Sequence, residues 1–180
     1  MSSSVAEAQK YKKGYYFTNK GEKITGQIRH VFRAKVGNKP DNGIIFRQKK
    51  GAKKVDLSPY QISAFVIEAD SFSTLNNFRV NSLAFYKKDF VQVAIVGNIN
   101  MLIHYSTVSS TSNGMTFQDP VYTEFLQKDG KTIRMNTKKD FYEALPKLLV
   151  ENPLLAADVK SKRYKLKDLQ KIIEEYNSSF

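Results

Sequence analysis

Cysteine and tryptophan are absent from this 180-residue chain, and histidine occurs only twice, at positions 30 and 104. Without cysteine there is no thiol nucleophile, no disulfide and no thiolate zinc site. The same absence leaves the compartment open, because exported proteins also do without cysteine. Neither histidine has a second ligand or an orienting acid at short spacing, so no compact metal motif or triad is visible. Long apolar runs are missing too. The longest, residues 91–96 (VQVAIV), is strand-sized and far below the ~18 residues of a membrane span. The glycine-bearing stretch "GNKPDNG" lacks the spacing and the Lys-Ser/Thr pair that hold phosphates, and there is no nucleophile elbow or dinucleotide fingerprint. No internal repeat of fixed period occurs.

What is present is the composition of a folded chain: 41% hydrophobic residues and 12% aromatic, carried by 10 Tyr and 12 Phe. A chain of this length can bury about 70% of its unfolded surface, so one self-sufficient domain is expected over residues 14–180. Residues 1–13 begin with small polar side chains and are expected to be disordered. Charge is spread very unevenly. Residues 10–54 hold 14 Lys and Arg against two acids, Glu22 and Asp41, and so carry the whole net charge of +12. The remaining 15 basic and 15 acidic residues cancel.

Hydrophobic periodicity gives the fold class. In "KITGQIRHVF", Ile24, Ile28, His30 and Phe32 share one parity, and Lys23, Thr25, Gln27 and Arg29 share the other. That alternation is a half-buried strand. "GYYFT" before it, with Asn19 and Gly21 between, completes a hairpin. Strands are also expected at residues 43–48, 53–58 and 63–69, with a helical turn at "SPYQI" capped by Ser58. Residues 89–106 form a hairpin turning at Gly97-Asn98, residues 106–120 a polar loop, and residues 121–135 a hairpin turning at Asp129-Gly130. At Thr137 the period changes to 3.6, with Phe141, Ala144, Leu145, Leu148 and Leu149 on one face. Thr137 and Asp140 approximate a capping box, and Pro146 should kink or shorten the helix. Further helices restart at Asn152-Pro153 and run through "LKDLQKIIEEYN". The expectation is an α+β domain: an antiparallel, barrel-like β part over 14–135, packed with two to three helices over 137–177. Ile28, Phe46, Val93, Ile95, Met101, Leu145, Leu148, Leu169 and Ile173 are the expected core.

No catalytic residue, metal ligand or cofactor is assigned by this reading, and a non-enzymatic protein is expected. His30 and His104 read as packed histidines. Glu68 and Asp70 share a parity at a strand end, where a pair could do acid–base chemistry but a solvated terminus is the plainer reading. The one functional signal is the basic half. Arg29, Arg33 and Lys35 run along and out of one strand, and Arg47, Lys49, Lys50, Lys53 and Lys54 cluster around a hairpin loop. Tyr15, Tyr16, Phe32, Phe46 and Tyr60 lie among them. Cations neutralise phosphates or other anionic groups, and aromatic faces can stack on unpaired bases. Against this, lysine is also a favoured guard of strand edges.

The stretch "GYYFTNKGEKITGQI" resembles an opening, G-Y-hydrophobic-x-N-x-G-D-T-hydrophobic-x-G-x-I, common near the mature N-terminus of uncharacterised exported proteins of the Bacteroidota. Ser58, Pro59 and Ile62 match a "SP-x-x-I" turn, and "LQKIIEEYN", ending at Tyr176 and Asn177, matches the closing helix. Glu22 stands where the resemblance has Asp. The resemblance implies a β-rich domain with C-terminal helices, located in the periplasm or at the cell surface. "AEAQ" near the N-terminus is then the remnant of a signal-peptide cleavage site. The expected function is binding or assembly in the envelope, with an anionic envelope component or another envelope protein as partner. The alternative is a cytoplasmic nucleic-acid-binding module acting through residues 10–54.

Overall fold

The computed structural model describes residues 10–32, 42–82, 84–112 and 115–180. It is an α+β fold. Ten strands are hydrogen-bonded in one sheet: β1 (Lys12–Thr18), β2 (Lys23–Phe32), β3 (Asn42–Arg47), β4 (Val55–Leu57), β5 (Ile62–Ile67), β6 (Asp70–Arg79), β7 (Phe85–Ile95), β8 (Asn100–Ser112), β9 (Met115–Lys128) and β10 (Lys131–Arg134). Their order is β10-β9-β8-β7-β6-β5-β1-β2-β3-β4, which leaves β10 and β4 as the two edges. Helices occupy the C-terminal part. A π-helical turn (Asp140–Ala144) runs into α1 (Leu145–Leu148), followed by α2 (Pro153–Lys160), a 3-10 turn (Leu166–Asp168) and α3 (Leu169–Asn177).

The chain divides into two compact units, Met1–Gln92 with His104–Tyr122, and Val93–Ile103 with Thr123–Phe180. The first has a core of Ile28, Ile44, Phe46, Leu57, Ile62, Phe65, Ile67, Phe72 and Phe90. Alternation builds it, because β2 and β3 turn one parity inward, as does β5 from Phe65 on, after a register shift that also leaves Ile62 buried. Gly14 and Gly26 face each other across β1 and β2. A Cβ on Gly26 would stand 2.5 Å from the Phe46 ring, so the missing side chain is the space that ring fills. The sheet of this unit curls enough for Asn42, at the start of β3, to bond Asp89 on β7 and the Tyr105 carbonyl on β8.

In the second unit Ile99, Met101, Leu126, Met135, Phe141, Leu145, Leu149, Leu155, Val159, Leu169, Ile172, Ile173 and Tyr176 form the core. The capping box is present: the Asp140 amide donates to Thr137 Oγ1 at 3.0 Å, and the Thr137 amide to Asp140 Oδ2 at 3.2 Å. Pro146 lies in the first turn of α1, where its missing N–H costs no hydrogen bond, and the preceding turn widens to π geometry. Asn152 caps α2 by accepting from the Leu155 amide at 3.1 Å, with Pro153 at the first position.

Several sequence expectations change. β1 opens at Lys12, so part of the segment taken as disordered is paired with β2; residues 1–9 lie outside the described residues. Of the polar stretch taken as a loop at 106–120, residues 106–112 are instead the far part of β8 and residues 115–120 the start of β9, the two between lying outside the described residues. "SPYQI" is the single turn expected, closed by the Gln61 and Ile62 amides on the Ser58 carbonyl at 3.0 and 3.3 Å. Strand β6 has no counterpart in the pattern reading. Its buried residues, Phe72, Leu75 and Phe78, are spaced by three, and Asn77 between them has φ 52°. Val93, Ile95 and Leu148 are half-buried, while the other six expected core residues are buried.

Candidate functional site

Strands β1, β2 and β3 sort the basic half by parity. Lys13, Gln27 and Arg47 form one row across the three strands, and Arg29, Ile45 and Asp56 form the next across β2, β3 and β4. Tyr15 pairs with Thr25 in the row on the other side. All of these positions are exposed or half-exposed, whereas the alternate positions Ile28, His30, Ile44 and Phe46 are buried. Of the aromatic residues taken to interleave with the cations, Tyr16, Phe32 and Phe46 therefore face inward. Tyr16 packs on Phe46 and Phe32 on His30. Tyr15 remains on the outer face, and Tyr60 is exposed in the turn before β5.

On the outer face three cations are seated on tyrosine rings. The Arg47 guanidinium lies 3.8 Å from the centre of the Tyr11 ring and its Nε donates to Gln27 Oε1 at 2.8 Å. Arg29 approaches the same ring at 5.6 Å. Lys23 Nζ sits 3.8 Å over the Tyr15 ring, whose edge meets Phe17. Lys49, Lys50, Lys53 and Lys54 are exposed in the loop from β3 to β4. By register that loop follows Arg47 toward the end of the sheet where β2 begins at Lys23. Arg33 and Lys35 lie outside the described residues.

Strand order bears on the edge-protection reading. A lysine that guards an edge belongs on an edge strand. β1 lies between β5 and β2, and β2 between β1 and β3, so Lys13 and Arg29 stand on interior strands with no free edge to protect, whereas Lys23, at the start of β2, lies beyond the pairing with β3, which begins at Gln27. Only the β3–β4 loop lies next to an edge. Among the described residues no ion pair engages Lys13, Lys23, Arg29, Arg47 or the four loop lysines.

Beneath this face is a polar cluster that sequence spacing did not reveal. Asp89, His104 and Asn42 are all at most 1% exposed. Asp89 Oδ1 accepts from the Asn42 and Phe90 amides at 3.2 and 2.8 Å. Asp89 Oδ2 accepts from Asn42 Nδ2 at 3.2 Å and from His104 Nε2 at 3.0 Å. A carboxylate only accepts, so the network assigns the His104 proton to Nε2. The 3.3 Å approach of Asn42 Nδ2 to that nitrogen is then a contact between two donors sharing one oxygen. Phe78 and Tyr86 pack on the His104 ring at 5.0 and 4.6 Å. Four donors on one carboxylate make a latch between the start of β3 and strands β7 and β8. Its burial closes it to any substrate.

His30 lies nearby, 8% exposed, with Phe32, Phe65 and Phe72 rings at 4.5 to 5.4 Å. Burial pulls its pKa down to about 4, against the opposing pull of the Asn42 side chain and the Asp89 charge. Glu68 and Asp70 take separate partners: Glu68 pairs with Lys12 at 3.1 Å, and Asp70 accepts from Gln92 at 3.0 Å. Among the described residues no cluster of three His, Asp or Glu side chains could hold a metal ion.

The second unit has its own polar knot. Lys128 Nζ donates to the Leu148 carbonyl at 2.9 Å, to the Tyr176 hydroxyl at 2.8 Å and to Glu151, and Tyr176 in turn donates to Glu151 at 2.7 Å. The Lys128 hydrogen bond, then that of Tyr176, lowers the Glu151 pKa to about 2. A hollow of about 270 Å³ lies beside this knot, lined by Asn98, Lys128, Asp129, Glu151, Tyr176 and Phe180. All three lysine protons are already used there.

Sequence spacing missed the Asp89–His104 pair because its members lie 15 residues apart on neighbouring strands. The available signal was an aspartate inside the otherwise apolar arm "DFVQVAIV" of a hairpin whose other arm carries a histidine. Tyr11, Lys13 and Lys23 were missed because the domain was started at residue 14 and the charge was counted without strand pairing. No protein-family model matches this chain, and neither a curated protein nor a solved structure matches it.

Proposed function

We propose that the protein is a non-enzymatic binding protein of the cell envelope whose ligand is a polyanion. The observation that carries the reading is the placement of Lys13 and Arg29 on the outward face of interior strands, where edge protection has no purpose, with Lys23 on the same face at the start of β2. Seven further residues bear on it: Arg47 continues the row, Lys49, Lys50, Lys53 and Lys54 extend it into the loop, and Arg33 and Lys35 follow Phe32 in sequence. The envelope location is supported by the resemblance of the opening stretch to exported proteins. Among the described residues no helix is long and apolar enough to cross a membrane.

The test is affinity for a sulfated polysaccharide and for a single-stranded oligonucleotide as salt is raised from low to physiological. Each neutralised charge releases a counterion, so affinity should fall steeply with salt. Reversing Lys49, Lys50, Lys53 and Lys54 to Glu should flatten the slope on the single-stranded probe by about 3 log units per log unit of salt. The fold should survive, because exposed substitutions change stability little. Absence of binding to both probes at low salt would sink the reading and leave the charge as a solubility feature.

A further inference from the structure

The aromatic residues of the basic face have two possible uses, and the structure separates them. Open rings would be platforms for bases. Covered rings would be seats that hold cations at fixed positions. Lys23 Nζ lies 3.8 Å over the Tyr15 ring, and the Arg47 guanidinium 3.8 Å over the Tyr11 ring with Arg29 also in range. Both rings have a face already occupied by a cation.

We propose that Tyr11 and Tyr15 are pedestals that pre-position Arg47, Arg29 and Lys23, and that the ligand is an anionic polysaccharide recognised through its charges. This rests on the polyanion-binding reading above. Register sets the arrangement: Arg29 lies in one row, Lys13 and Arg47 in the next, and Lys23, paired with Phe17, two rows further on, from where its Nζ reaches back over Tyr15. Rows on one face of a strand repeat every ~6.6 Å, so these backbone positions span roughly 20 Å of one face, with the Arg29 and Arg47 guanidiniums converging on the Tyr11 ring. Lysine and arginine side chains lose much rotamer freedom on binding, and a seat on an aromatic ring removes part of that loss beforehand. A nucleic acid gains less here, because its bases meet ring faces that the protein's own cations cover.

Two kinds of measurement test this. The first needs no ligand. In the wild-type protein the Lys23 ε-methylene and Arg47 δ-methylene protons should be shifted upfield by the rings beneath them. Tyr15→Leu and Tyr11→Leu should abolish the respective shifts, while Tyr→Phe should keep them. Unshifted protons in the wild type would overturn the pedestals whether or not the protein binds polyanions. The second is affinity for a heparin-type polysaccharide. Tyr11→Leu with Tyr15→Leu should weaken binding about ten-fold, leave the salt slope unchanged, and be rescued by Phe at both positions. In a Lys23→Ala, Arg29→Ala, Arg47→Ala background the Leu substitutions should have little further effect, which a merely structural role of the rings would not produce. The proposal is overturned if the Leu variant binds as wild type, if Phe fails to rescue, or if the Leu substitutions still weaken binding in the alanine background. Tighter binding of oligo(dT), lost selectively with the rings, would mean base stacking and overturn the polysaccharide assignment. Absence of all polyanion binding with intact ring shifts would remove the polysaccharide ligand together with the reading it rests on, and leave the seats as a structural finding.

Discussion

His30→Leu should remove one window of acid sensitivity from the protein. His30 is buried among Phe32, Phe65 and Phe72, and its pKa lies at about 4 against 6.5 for the free side chain. Between these values the unfolded chain binds a proton that the folded chain declines. Stability therefore falls as pH drops below 6.5 and the loss levels off below about 4. A difference of 2.5 units, at 1.36 kcal/mol each, gives a loss of about 3 kcal/mol across the window. Leucine in the same aromatic cage has no proton to bind and suits the site. The assay is urea unfolding of both proteins at pH 7, 5.5 and 4, followed by tyrosine fluorescence because there is no tryptophan, with amide exchange of Ile44 reporting the first unit. The variant should gain on the wild type by about 3 kcal/mol between pH 7 and 4. A difference that stays constant across that range would refute the argument, because it would mean that His30 takes up its proton equally in both states.

Other expected outcomes come from the same contacts. Asp89→Ala removes the acceptor of four hydrogen bonds and should destabilise the protein by about 3–5 kcal/mol in denaturant titrations, with faster exchange at Phe90 and Asn42. Gly26→Ala must displace the Phe46 ring and should cost about 1–3 kcal/mol, measurable as a lower Tm, while Gly51→Ala meets no neighbour and is strained only by its φ of 85°. Leu169→Ala in the helical core should cost about 2–5 kcal/mol, and Ile95→Ala, half-buried, clearly less. Glu151, with its pKa lowered to about 2, supports the second unit above the ordinary carboxylate range; that support should fade as pH falls from about 4.5 toward 2, and Tyr176→Phe should narrow the window.

The fold was legible wherever burial followed a simple period. β2 alternates strictly, so its inward and outward residues were assigned correctly, and the change of period at Thr137 marks the start of the helical part. Capping chemistry was equally visible at Thr137, Asp140 and Asn152, because it is local. β6 escaped because its inward positions recur every third residue. Residues 106–112 and 115–120 escaped because Ser and Thr suit turns when read singly, whereas pairing between long strands overrides that preference.

The site was legible as charge and illegible as geometry. Counting residues located the surplus between 10 and 54, but a count gives the same answer for an edge strand and an interior one. Edge protection is an argument about edge strands, and only the pairing shows that β1 and β2 are flanked on both sides in the strand order. The buried latch has the same origin. Asp89 is separated from His104 by 15 residues and from Asn42 by 47, distances that no spacing rule spans. Charged and polar groups sealed from water persist only when their partners are supplied from elsewhere in the fold. The aspartate inside a strand pattern was therefore a sign that partners exist, although only the sheet could name them.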